Sequence, residues 1–221
     1  MKNLKNLILY IIFSQIIVNI NCQPYIPKGR IYHTATLVGT KIFFLDGQDN
    51  NESLNYFFYL DVSKSFNKTK DSLPFVNLTF DDSVPKHHGA ATTIIKREGH
   101  TATFLSDTGE IVYIGGCGDN GLLINMNILD VYNIINGSWN KWETKNPPEQ
   151  RCWHTAVLTN DNRIIVFGGV NSSLTMPVEN YYVVLNTKTL EWYHGNGNII
   201  GAPYKGHTAT YHDDYMFIAF G

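Results

Sequence analysis

Residues 99–103 read GHTAT and residues 206–210 read GHTAT again, with WHTA at 153–156 and YHTAT at 32–36. The four histidines of these stretches, His33, His100, His154 and His207, stand 67, 54 and 53 residues apart. Two near-equal intervals point to an internal repeat, and a period near fifty implies stacked or radial copies of one supersecondary unit. Each histidine is followed by a run of small residues, a polar turn and an unbroken apolar run ending in glycine. These runs are KIFFLDG (41–47), EIVYIGG (110–116), RIIVFGG (163–169) and YMFIAFG (215–221). A short run of β-branched and aromatic residues bounded by turns reads as a strand buried on both faces. A second aromatic strand follows in NYFFYLDV (55–62), NILDVYNI (127–134) and NYYVVLNT (180–187), and an aromatic closes the unit. Trp139 lies 15 residues before His154 and Trp192 lies 15 before His207. The unit is therefore four strands in about 53 residues, and no segment shows a helical period.

Four-stranded units in radial array build a β-propeller. The order histidine–threonine–alanine, apolar strand, glycine doublet, aromatic strand, tryptophan resembles the kelch repeat, whose period is about 50. The resemblance covers almost all of residues 23–221. It is nearest to the secreted kelch propellers, the group that includes attractin-like ectodomains and the galactose oxidase superfamily. The expected fold class is all-β, a kelch-type β-propeller. Physical reasons attach to the repeated residues. Gly115-Gly116 and Gly168-Gly169 allow close backbone approach and positive φ where the chain leaves the sheet. Asp46-Gly47 takes that place in the first unit, and Asp is among the few residues that tolerate such a backbone. Trp139 and Trp192 are expected to wedge between adjacent blades, where burying about 200 Å² stabilises by up to about 5 kcal/mol.

The first interval is too long. Within it, Phe75 can close one unit, and VPKHHGAATTII (84–95) looks like the opening of another with His88 as anchor, yet His100 opens a unit again shortly after. Either residues 84–98 are an inserted hairpin or loop, or a blade has lost three of its strands, and the match to the repeat favours loss. The last unit breaks off as well. The expected organisation is three full four-stranded blades (33–84, 100–150, 154–203) plus two stubs. Propellers typically close with about 4–8 blades, so an incomplete propeller, a fragment or truncated member of a longer one, is expected.

Composition narrows the function. The chain has 221 residues, 16% of them charged, and a formal net charge of −2. No basic excess is present to neutralise phosphates, which argues against a nucleic-acid partner. Lys2 and Lys5 precede an apolar stretch from Leu7 to Val18, then polar residues, which is the layout of a secretory signal peptide over residues 1–22. The stretch is short for a membrane span, and no second apolar segment of spanning length follows. A secreted or cell-surface location is expected, with any anchor beyond residue 221. In an oxidising compartment Cys117 and Cys152 either pair or remain two separate buried thiols. Five N-x-S/T sequons, at Asn51, Asn67, Asn77, Asn136 and Asn171, fit a secreted glycoprotein.

The four histidines could in principle ligate copper or zinc. Equivalent repeat positions lie one per blade around an axis, so a structural role is expected and no cofactor or metal. Arg30, Arg97 and Arg151 each precede an anchor histidine by three residues and also read as repeat positions. GCGDNG (116–121) matches a dinucleotide fingerprint by chance, since no helix follows it. Galactose oxidase activity, as the resemblance implies it, needs a copper site with two histidines, tyrosine ligands and a Cys–Tyr cross-link, and no such set can be assigned here. The expected function is an extracellular or cell-surface protein-interaction module without catalytic activity, binding a protein or a glycan. By resemblance, partners dock on the loops at one face, with Asp49, Asn120, Leu122, Leu174, Met176 and Tyr204 as candidates. The alternatives are a galactose oxidase-like, copper- or carbohydrate-active propeller and a non-functional truncated fragment.

Overall fold

The computed structural model describes residues 25–31, 33–49, 52–53, 56–63, 73–79, 97–118, 121–173, 175–195 and 204–220. Three four-stranded sheets follow one another along the chain. The first contains β1 (Thr34–Val38), β2 (Lys41–Leu45), β5 (Phe57–Asp61) and β6 (Phe75–Asn77). A small ribbon of β3 (Gln48–Asp49) and β4 (Glu52–Ser53) stands in the loop between β2 and β5. The second sheet contains β7 (Thr101–Leu105), β8 (Glu110–Ile114), β9 (Ile128–Asn133) and β10 (Ser138–Glu143). The third contains β11 (Cys152–Leu158), β12 (Arg163–Val170), β13 (Tyr182–Asn186) and β14 (Glu191–His194). A two-stranded hairpin of β15 (Thr208–His212) and β16 (Tyr215–Ala219) comes last. Each sheet is an antiparallel meander in which consecutive strands pair. These are the three blades and the C-terminal stub expected from the repeat.

The first strands of the units, β1, β7, β11 and β15, lie side by side in that order. The sheets therefore fan out from a common inner edge. The apolar runs are unbroken because each blade is covered on both faces. In the second blade Ile111, Tyr113 and Tyr132 pack toward the first, against Phe43, Leu45 and Phe57. The alternating residues Val112, Ile114, Leu129 and Val131 pack toward the third, against Ile164, Val166, Val183 and Leu185. Successive strand side chains point to opposite faces, so a strand between two neighbours needs apolar residues at every position.

The tryptophans occupy the expected wedges. The ring of Trp139 lies 5.3 Å from that of Phe57 in the first blade, and 5.3 Å and 5.1 Å from Tyr113 and Tyr132 in the second. Trp192 is buried between the second and third blades. Its indole N–H donates to Thr144 Oγ1 at 3.0 Å, so the one polar atom of the wedge is satisfied across the junction.

The long first interval does not separate the first two blades. Thr36 Oγ1 donates to the carbonyl of Ala102 at 3.1 Å, tying β1 directly to β7. Residues 80–96, which include His88 and most of the expected tandem first strand, lie outside the described residues. In the C-terminal hairpin Tyr215 and Phe217 are exposed.

Replacing Trp192 by alanine removes both its packing and its cross-blade hydrogen bond. The expected cost is about 3–5 kcal/mol, read as a lower midpoint in urea unfolding. Trp192→Phe keeps the ring but not the donor, and is expected to recover more than half of the loss.

Candidate functional site

In the second and third blades the histidine and threonine of the HT pair face opposite neighbours. His100 Nε2 lies 3.0 Å from Thr34 Oγ1 of the first blade. His154 Nε2 lies 3.1 Å from Thr101 Oγ1 of the second, and His207 Nε2 lies 2.8 Å from Thr155 Oγ1 of the third. At each of these three junctions the earlier blade presents its threonine and the later unit its histidine. The backbone of Ile114 acts on the His154 ring and that of Phe167 on the His207 ring, each the last residue before a glycine doublet of the preceding blade, and both favour the charged imidazole. His100, His154 and His207 are buried, whereas His33 in the first blade is exposed and stands beside Phe44. The three buried imidazoles each commit a ring nitrogen to a neighbouring blade. Among the described residues, no three His, Cys, Asp or Glu side chains form a group that could hold a metal ion.

The glycine doublets are squeezed from both sides. A Cβ on Gly115 would sit 2.6 Å from both Arg151 O and His154 Cε1 of the next blade, and one on Gly168 would sit 2.6 Å from Tyr204 O and 2.7 Å from His207 Cε1. The second glycine meets its own blade: a Cβ on Gly116 would lie 2.8 Å from His100 Cβ. Both glycines of each pair also have positive φ, and Asp46 holds φ 57° in the equivalent place. At Gly115 and Gly168 the close approach comes from a histidine and a backbone carbonyl of the next unit together.

The three arginines have a shared role that their spacing alone did not disclose. Arg30 Nη1 donates to Asp46 O at 3.2 Å, Arg97 Nε to Gly115 O at 2.7 Å and Arg151 Nη1 to Gly168 O at 3.2 Å. Each caps the carbonyl at the first doublet position of its own blade. Their second partners differ. Arg97 is fully buried and pairs with Asp130 at 3.1 Å. Asp130 stands opposite Tyr113, and the corresponding residue of the first blade is Phe58, over whose ring the Arg30 guanidinium lies at 4.6 Å. In the third blade the place is taken by Val183. Burial lowers the Arg151 guanidinium to about 10, partly offset by Glu149.

The inter-blade strands and the loops after each second strand gather at one end of the molecule. Gly116 N–H donates to Arg151 O at 2.8 Å, and Gly169 N–H to Tyr204 O at 2.6 Å. Glu179 N–H donates to Glu149 Oε2 at 3.0 Å, joining loop 170–179 to segment 146–151. Of the candidate contact residues, Leu122 is 66% exposed and Met176 59% exposed, while Asp49 and Tyr204 are less so. The loops carrying the first two are held from within. Gly118 N–H donates to Leu122 O at 2.7 Å, and Asn171 N–H to Met176 O at 3.0 Å. Asn120 and Leu174 lie outside the described residues, as do the sequons at Asn51 and Asn67. Asn136 is exposed in the turn between β9 and β10, and its Oδ1 accepts from Ser138 Oγ at 2.7 Å. Asn171 Oδ1 accepts from Ser173 Oγ at 2.7 Å in the same way. Asn77 ends β6, with Oδ1 accepting the N–H of Thr79 at 2.9 Å.

The family described as the KLHDC2/KLHL20/DRC7 Kelch-repeats domain matches residues 73–221. Putative adagio-like protein 2 of Oryza sativa subsp. japonica is 23% identical over 197 residues, 89% of this chain and 28% of that protein. Kelch domain-containing protein 1 of Homo sapiens is 26% identical over 149 residues, 67% of this chain and 32% of that protein. The chain thus spans under a third of the length of these two relatives. The solved structure of YjhT superimposes with a TM-score of 0.61 at 17% identity, covering 88% of this chain and 59% of that one. At that identity the likeness concerns the fold alone.

The buried histidines make stability depend on pH. Burial, together with Arg151, Arg97 and His207, lowers the ionisation of His154 to about 3 in the folded chain, against about 6.5 unfolded. Between these values the unfolded chain binds a proton that the folded chain does not. The contribution is therefore complete above about pH 6.5 and is lost as pH falls, by up to about 1.4 kcal/mol per pH unit for this residue. His207, also lowered by burial, acts in the same direction. Urea midpoints are expected to fall between pH 7 and pH 5, and His154→Gln is expected to decline less steeply. An equal slope in the variant would place the titration elsewhere.

Proposed function

The chain belongs to the kelch-repeat family of β-propellers, and on that premise we propose that it is a non-catalytic protein-interaction module of the extracellular space or cell surface. The observation that carries the binding reading is the pair of apolar side chains, Leu122 and Met176, turned outward from internally hydrogen-bonded loops at one end. Pre-ordered loops lose little conformational entropy on association, and an exposed apolar residue on a rigid support is the usual anchor of an interface. The repeated groups that could have done chemistry support the non-catalytic reading. The three buried anchor histidines bond threonines of adjoining blades, and the arginines cap backbone carbonyls.

The binding surface in this reading comprises loops 117–126 and 170–179 with segment 146–151 and Tyr204 between them. The extracellular part rests on the residue pattern of positions 1–22 and on the sequons. Asn136 is the sequon best placed for a glycan, because its turn is exposed and lies on a strand connection away from these loops. Asn171 lies inside loop 170–179, so a sugar there would shield part of the surface.

Two measurements test the proposal. Affinity capture with the chain as bait is compared with a Leu122→Asp/Met176→Asp variant. The specific partner is expected to be lost at an unchanged thermal midpoint, and capture by both baits alike would move the interface elsewhere. Intact mass of the chain made in a secreting eukaryotic cell is expected to show loss of residues 1–22 and a glycosidase-sensitive sugar at Asn136. An unprocessed, unglycosylated chain retained inside the cell would overturn the location.

A further inference from the structure

Two cysteines stand at facing repeat positions across one junction. Cys117 directly follows the glycine doublet of the second blade, and Cys152 directly follows the arginine of the third. The hydrogen bond from Gly116 N–H to Arg151 O, 2.8 Å long, brings the two chains into register there. Cys117 is also held by two 2.8 Å backbone bonds to Glu98, while Trp153 N–H donates to Gly99 O at 2.7 Å. Both side chains are completely buried and share one small cluster with Val170, closed over by Leu123 and Trp153. The Cys117 thiol lies 3.7 Å from Glu98 O, and the neighbouring Cys152 acts on it directly. At the next junction the equivalent bond, Gly169 N–H to Tyr204 O, puts Val170 and Lys205 in the corresponding places. In the structure both cysteines are free thiols.

We propose that Cys117 and Cys152 are the site of a disulfide that staples the second blade to the third and is closed during folding. Backbone bonds already fix both residues, so joining the sulfurs asks for little movement, and bringing two such residues together is the main requirement for the bond. The staple would lock loop 117–126 against segment 146–151, two parts of the proposed binding surface. Its timing follows from the surroundings. Contact with Cys152, then burial, then Glu98 push the Cys117 thiol well up. Exchange requires a thiolate, so once folded the pair neither closes nor opens readily. In a nascent chain, by contrast, the Cys117 thiolate can attack a low-molecular-weight disulfide such as oxidised glutathione, releasing one glutathione thiol. The Cys152 thiolate then attacks the Cys117 sulfur of the mixed disulfide and expels the second. Two protein thiols are oxidised, one glutathione disulfide is reduced to two thiols, and no other reactant is needed.

The test refolds the full chain from urea in a glutathione redox buffer and, in parallel, in a phosphine reductant. Free thiols are then blocked in denaturant and peptides mapped without reduction. The glutathione sample is expected to give one peptide pair joining Cys117 to Cys152, and a thermal midpoint about 5–10 °C above the reduced sample. The difference is expected to vanish in Cys152→Ser. Oxidised glutathione added to the folded, reduced chain is expected to leave both thiols free over hours. Folded protein from the glutathione buffer with Cys117 and Cys152 both alkylated, or with Cys22 joined to either, overturns the proposal. Rapid closure in the folded chain overturns its timing. If the denatured chain does not refold, the same map is made on chain synthesised behind a foreign secretion leader, where the same two cysteines are joined or the proposal fails. None of these readouts depends on where the natural chain resides.

Discussion

The hydrogen bond between each buried anchor histidine and a threonine of the preceding blade is the interaction on which the arrangement of blades depends. Apolar packing between sheets is strong but tolerant of sliding, because side chains of similar size interchange at little cost. A buried imidazole is less tolerant, since any ring nitrogen left without a partner costs about 1–3 kcal/mol. His154 meets this demand at Nε2 with Thr101 Oγ1 of the second blade. Moving the third blade along the second would break that bond. The neutral ring suits the site, since burial and the fixed charge of Arg151 nearby both disfavour protonation.

The glycine doublets and arginines follow from that placement. Because His154 and Arg151 O of the third blade press against Gly115, that position has no room for a side chain. The strand must leave the sheet there with left-handed backbone, which exposes a carbonyl to the interior, and the repeat arginine of the same blade caps it. Where Asp130 is available, the second blade neutralises its arginine; the first uses an aromatic ring, and the third leaves a buried cation whose ionisation is lowered.

Much of this was legible in the chain. The recurrence of HTA, the glycine doublets and the tryptophans marked four-stranded units and their boundaries, even though Asp46 and Phe75 stand in for a glycine and a tryptophan in the first unit. The arginines were visible as repeat positions, but their targets were not, since a guanidinium reaching back to a carbonyl 16 to 18 residues later leaves no periodic trace. Asp130 was missed for a related reason: its equivalents are Phe58 and Val183, so nothing recurs. The sequence also could not show that neighbours His100 and Thr101 serve different junctions. Nor did the long first interval reveal that the blades on either side of it touch directly.

The histidine–threonine bridge has a direction, threonine forward and histidine back, and every described junction repeats it. In the language of assemblies this is a head-to-tail contact between non-identical surfaces, the kind that propagates indefinitely and closes only when the accumulated rotation brings the ends together. No junction carries information about how many units precede or follow it. A duplicated or deleted unit would therefore find complementary surfaces already waiting on both sides. Blade number in such a chain can drift by recombination without the invention of a single new interface, and selection acts on it through closure geometry rather than through contact chemistry.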